Sequence, residues 1–202
     1  MGFNDDNFLD DYEIQELINK FESQLESGMP LFFDADELNI ILEHYVQKND
    51  IPKINIIADL ASTYHEANPL TKLIMAKKYL SVQDAANALP YLLDESNNAD
   101  DPDYQLSLGY CYSLMDEHKK SLSAYKKAVK LLEKENCDDI YNSMAVEYMM
   151  LRDFERALHY FQKGIKASPD IAEQYAEITN CYFFLDRADE AIEFFKGEVD
   201  KN

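Results

Sequence analysis

Apolar residues along this chain recur at three- and four-residue spacing, and almost nowhere at the alternation expected of a strand. Between residues 138 and 165 the pattern is clearest: Tyr141, Met144, Ala145 and Tyr148 stand at i, i+3, i+4 and i+7. That spacing puts them on one face of an α-helix. Asp153 then fits an N-cap, and Ala157, Phe161 and Gly164 form a second stripe. Ser168-Pro169 ends the second helix, because the residue before proline is pushed out of the helical region. The stretch therefore predicts two antiparallel helices whose apolar faces close on each other. Ala145 and Ala157 are the small residues that let them approach.

The same pattern recurs along the chain. Its first-helix tyrosine returns as Tyr45, Tyr79, Tyr112, Tyr148 and Tyr182, at intervals of 34, 33, 36 and 34 residues. Three residues earlier the column reads Leu42, Ala76, Gly109, Ala145, Thr179. The small position of the second helix reads Ile54, Ala88, Ser121, Ala157, Ala191, and four residues on come Ala58, Leu92, Tyr125, Phe161, Phe195. In the first pair the bulky and small members look exchanged, Leu42 against Ala58, which conserves volume.

The residues Tyr141, Met144, Ala145, Tyr148, Ala157, Phe161 and Pro169 resemble the tetratricopeptide repeat, with Met144 in place of Leu and Gly164 where Ala is usual. The resemblance implies an all-α fold, a right-handed superhelical solenoid of antiparallel helix pairs with an N-terminal capping helix. The expected organisation is an acidic arm and cap over 1–34 and a degenerate repeat over 35–68. Further repeats follow at 69–101, 102–137 and 138–171, with a truncated one at 172–202. The cap runs from Asp11 to Ser27, carries Ile14, Leu17, Ile18, Phe21 and Leu25 on one stripe, and stops at Gly28. Leu31, Phe32 and Phe33 are expected to tuck against it. Pro90 falls inside the second helix of its pair, which predicts a kink or a late start.

Composition narrows the function. The net charge of −20 excludes nucleic-acid binding of the usual kind, which needs lysine and arginine against phosphate. The three cysteines, Cys111, Cys137 and Cys181, lack metal-ligand spacing and read as small buried hydrophobes. His44, His65, His118 and His159 lie at unrelated helix positions and read as surface residues. No run is apolar enough to span a membrane, and no signal peptide opens the chain. No nucleotide-binding, hydrolase or metalloprotease motif occurs. The expectation is a cytoplasmic protein without catalytic residues, metal or cofactor.

In the family resembled, inward positions of successive first helices line a concave groove that holds a peptide or helix of a partner protein. Carried onto this chain, that groove comprises Leu73, Lys77, Tyr110, Asn142, Met149, Met150, Asn180, Phe183 and Phe184. The carboxylate-gripping subset of the family is not matched, since acids such as Asp103, Glu173 and Glu177 stand where cations are required. The groove is apolar with asparagines, and its acidic rim favours a ligand with basic edges. The alternative is self-assembly, a homodimer formed through the last helix at Ile192, Phe194, Phe195 and Val199. The absence of a polar closing helix after Val199 is expected of a piece of a longer solenoid, or of an end that pairs with another molecule.

Overall fold

The computed structural model describes residues 11–94, 100–133, 137–165 and 172–199, and all regular elements among them are α-helices. The chain divides into two units, Met1–Asn97 and Asn98–Asn202. The Ser168-Pro169 stop lies outside the described residues.

The first unit holds α1 (Asp11–Ser27), α2 (Ala35–Gln47), α3 (Ile51–Tyr64), α4 (Pro69–Leu80) and α5 (Ala85–Leu92). Helix α1 turns Leu17, Ile18 and Phe21 into a core shared with Leu38, Ile41 and Tyr45 of α2 and Ile54 and Ile57 of α3. It ends at Gly28, whose φ of +66° only glycine adopts freely. Helix α2 opens on a capping box: the Glu37 amide donates to the Asp34 side chain at 2.8 Å and the Asp34 amide to the Glu37 carboxylate at 2.9 Å. Phe33 is buried beneath α1, whereas Phe32 faces solvent, so only part of the 31–33 segment tucks in. Tyr45 donates its hydroxyl to Glu22 at 2.9 Å; burial and that bond push its phenol up to about 12.

The second unit holds α6 (Pro102–Leu114), α7 (His118–Leu131), α8 (Asp138–Met150), α9 (Phe154–Ile165), α10 (Ala172–Phe184) and α11 (Ala188–Val199). Its core runs from Leu122 and Tyr125 through Met144, Ala145 and Tyr148 to Phe161, Ile178 and Tyr182.

One turn closes all five helix pairs. Asn49, Gln83, Asp116, Arg152 and Asp186 each take a left-handed φ between 53° and 59°. The next amide, on Asp50, Asp84, Glu117, Asp153 or Arg187, then donates back to the carbonyl of the repeat tyrosine at 2.8–3.0 Å. This is the Schellman arrangement, which satisfies carbonyls at a helix C-terminus. In three pairs the same residue caps the following helix: Asp50, Asp84 and Asp153 accept from the amides of Lys53, Asn87 and Arg156.

The tyrosine column also shares surroundings on its second helix. Tyr79 stacks on Tyr91 and Tyr148 on Tyr160, at 5.8 and 5.4 Å, while Tyr182 meets Phe194 at 6.1 Å. One turn earlier on that helix, Lys53, Lys120 and Arg156 sit over the rings of Tyr45, Tyr112 and Tyr148. Burial is uneven: Tyr45, Tyr148 and Tyr182 are buried, Tyr79 and Tyr112 half-buried.

The small-residue column has a steric cause. A Cβ on Gly109 would lie 2.5 Å from the Tyr125 ring, so only glycine admits that aromatic. Leu42 and Ala58 are both fully buried in one core, as the exchange of large and small requires. Thr179 departs from the column and is exposed, while its neighbours Ile178 and Cys181 are buried.

Two expectations are corrected. Helix α5 keeps Pro90 inside it and starts at its repeat-equivalent place, Ala85, so the late start is not found; it ends at Leu92. The histidines are not all surface residues. His118 donates from Nδ1 to the buried Glu147 carboxylate at 2.8 Å, joining α7 to α8, and His65 donates from Nε2 to the Phe33 carbonyl at 2.8 Å.

Arg152→Gly should raise stability by about 0.5–1 kcal/mol, since an exposed arginine in a left-handed turn carries a steric cost that glycine lacks. Urea unfolding with an unchanged m-value checks it. Gly109→Ala should destabilise by about 1–2 kcal/mol, the clash exceeding alanine's helix preference. Adding Tyr125→Leu, the pairing that Ala76 and Leu92 already use, should recover part of the Gly109→Ala penalty; strict additivity in the double-mutant cycle would refute the steric account.

Candidate interaction surface

Residues that leave the helix-pair contacts are chosen by helix period, so the candidate surface follows from which faces the cores consume. In the second unit α6, α8 and α10 spend one face on their partner helices. What remains open includes Tyr110 on α6, Met150 on α8 and Phe183 and Phe184 on α10, with relative exposures of 40, 60, 77 and 54%. Val146 of α8 is also exposed. These fall in repeat register: Val146 is 36 residues after Tyr110, and Phe184 is 34 after Met150. Phe184 stacks on Phe154 at the start of α9, centroids 4.5 Å apart, and Phe183 packs edge-on against Phe184 at 5.7 Å. Phe184 is thus held by a neighbour while Phe183 stands out into solvent.

The other expected groove residues are placed differently. Met149 is half-buried and packs on the core of its unit. Asn142 turns its amide toward Gly164, where a Cβ would meet Oδ1 at 2.2 Å, and that oxygen is buried without a hydrogen-bond partner. The glycine at 164, where alanine is usual, is therefore the space Asn142 occupies. Asn180 is exposed and donates from Nδ2 to Glu177 at 3.3 Å.

In the first unit Leu73 is 4% exposed and belongs to the interior. Lys77, largely buried, reaches Asn39 at 3.2 Å and pairs with the Glu43 carboxylate, so its ammonium ties α4 to α2. Burial and ion pairing both escape a reading by helix period: the period gives a face, not which neighbour fills it.

None of the three cysteines is in a disulfide; all are buried, and burial raises their pKa, for Cys181 to about 11. None is poised as a nucleophile. Among the described residues no cluster of three His, Cys, Asp or Glu is arranged to hold a metal, and no helix is long and apolar enough to cross a membrane.

On α11 Ile192 and Val199 are exposed, while Phe194 and Phe195 are half-buried against the core through Tyr182 and Tyr175. Of the four residues expected to form an oligomer contact, two are thus engaged within the unit.

Residues 102–133 and 138–171 match the family model Tetratricopeptide repeat. The fold is shared with solved structures of such proteins. The crystal structure of MamA aligns at TM-score 0.63 and 20% identity, over 85% of this chain and 96% of that one. TTC0263, a thermophilic TPR protein in Thermus thermophilus, aligns at TM-score 0.64 and 16% identity, over 85% and 92%. BtubC (BKLC) from P. vanneervenii aligns at 0.56 and 11%, over 93% and 89%. No curated protein matches the sequence. Two of its helix pairs are thus matched as tetratricopeptide repeats, and the described residues share the all-α fold of those solved structures. Proteins of that family are generally interaction scaffolds rather than catalysts.

Proposed function

We propose that this chain is a non-catalytic scaffold whose second unit holds a segment of a partner protein against α6, α8 and α10. The observation that carries the reading is the register of Tyr110, Val146, Met150 and Phe184: exposed apolar side chains one repeat apart, with Phe183 beside them. Large exposed aromatics and methionine are the groups that anchor interfaces. Leu73, Lys77 and Asn142 are committed to internal contacts and take no part in it. Met149 supports the surface from beneath, and Asn180 stands at its edge as a donor for an extended backbone. The net charge of −20 favours a ligand with an apolar spine and basic flanks, and disfavours nucleic acid. Three buried cysteines outside any disulfide fit a reducing cytoplasm.

Peptides selected from a random dodecamer library against the intact chain should carry that apolar and basic pattern. Phe183→Ala with Met150→Ala should weaken their binding by about 2 kcal/mol, near thirtyfold, with the melting temperature almost unchanged. Equal binding by the variant, or its unfolding, would remove the groove.

A second reading, self-association through α11, is favoured by one observation: none of its residues is buried, and Ile192 and Val199 are open. Light scattering should then show a dimer that Ile192→Glu abolishes. A monomer at every concentration up to about 1 mM excludes it.

A further inference from the structure

A second surface lies on the first unit. The loop from Leu31 to Asp34 and the end of α3 enclose an apolar cleft of about 490 Å³, whose walls are Leu31, Phe32, Phe33 and Tyr64. Phe32 is 80% and Tyr64 62% exposed, with rings 6.1 Å apart. Two such aromatics side by side in solvent contribute nothing to the core that Phe33 fills beneath them. The cleft is held in shape by the bond from His65 Nε2 to the Phe33 carbonyl at 2.8 Å and by the Asp34–Glu37 capping box.

Asp34 and Glu37 are also the wall of an adjoining cleft, of about 660 Å³, between α1 and α2. Its lining carries the carboxylates of Glu13, Glu16, Asp34, Asp36 and Glu37 against the ammonium of Lys20. That ammonium sits 4.6 Å over the Phe33 ring and 3.6 Å from Glu37. The chain thus already places one cation where an aromatic face and a carboxylate meet, the combination that attracts lysine and arginine. Glu16 also accepts from the Tyr12 hydroxyl at 2.7 Å, which holds its side chain on α1.

We propose that these adjoining clefts together form a docking site for a segment of another protein that carries bulky apolar residues followed within a few positions by lysine or arginine. The apolar side chains enter between Phe32 and Tyr64, and the cations cross the Asp34–Glu37 wall to the carboxylates of α1 and α2. Charge selects this occupant over the others. An anionic membrane surface is repelled by the same carboxylates. A second copy of the chain brings a further −20. Residues 1–10 carry Asp5, Asp6 and Asp10 with no lysine or arginine, so they lack the cations the second cleft calls for. The site goes beyond the groove proposed above, since it uses other residues in the other unit.

The probe is a fluorescein-labelled peptide of two leucines, a glycine-serine spacer and four lysines, read by fluorescence anisotropy on the intact chain. Binding is expected, with a loss of about tenfold on Glu13→Lys with Glu16→Lys and a similar loss on Phe32→Ser with Tyr64→Ser. Serines in place of the leucines, or glutamates in place of the lysines, should weaken the probe as strongly. This reads both clefts even if the Phe32 and Tyr64 variant loses its helical circular dichroism. Phe183→Ala with Met150→Ala should leave the probe's affinity unchanged, which separates this site from the groove. Three outcomes overturn the proposal: affinity insensitive to charge reversal at Glu13 and Glu16, equal binding of tetralysine alone, or binding seen only after residues 1–10 are deleted.

Discussion

The architecture depends on a backbone reversal that costs a left-handed residue in every helix pair. Asn49, Gln83, Asp116, Arg152 and Asp186 accept that conformation, and none is glycine. What holds them there is the amide bond back to the carbonyl of the repeat tyrosine, closing the end of the first helix while starting the second. With the turn set, equivalent side-chain positions meet in three pairs, Tyr79 with Tyr91, Tyr148 with Tyr160 and Tyr182 with Phe194. The tyrosine column is therefore a column of backbone acceptors as well as of rings.

Against that frame, the packing inside each pair follows a rule of volume. A large side chain on one helix faces a small one on the other: Tyr125 against Gly109, with Leu42 and Ala58 reversing the order in the first pair. Interiors are close-packed, so the sum is constrained while the assignment to either helix is not. The last pair obeys the rule least. Thr179 is exposed and α11 buries no residue, so this pair contributes less apolar burial than those before it.

Function falls to what the pair contacts leave over. In the second unit the spare faces of α6, α8 and α10 carry aromatic and methionine side chains in register. In the first unit the positions equivalent to Tyr110 and Val146 are spent on the Lys77–Glu43 pair, and the open apolar surface appears at Phe32 and Tyr64. Under the two proposals above, the net charge of −20 gives both surfaces one preference in common: basic and apolar partners over anionic ones.

Helix identity, helix ends to within a few residues and the large-small columns were readable from the chain alone, because a 3.6-residue period and a recurring column of tyrosines are linear properties of a sequence. The stop of the cap at Gly28 and the caps at Asp50 and Asp153 were readable for the same reason, being local chemistry. The left-handed column was not, since arginine and glutamine carry no turn signal of their own and are held there by a bond from the next residue. Nor was the fate of individual groove positions. Lys77 is a surface residue by type, yet it is largely buried beside Glu43; Asn142 sits where a ligand was expected and fills the space left by Gly164. Periodicity assigns a residue to a face, and a face is one-dimensional information. Which neighbour across the contact absorbs its hydrogen bonds and volume is set by residues twenty or more positions away, and only the tertiary structure brings those together.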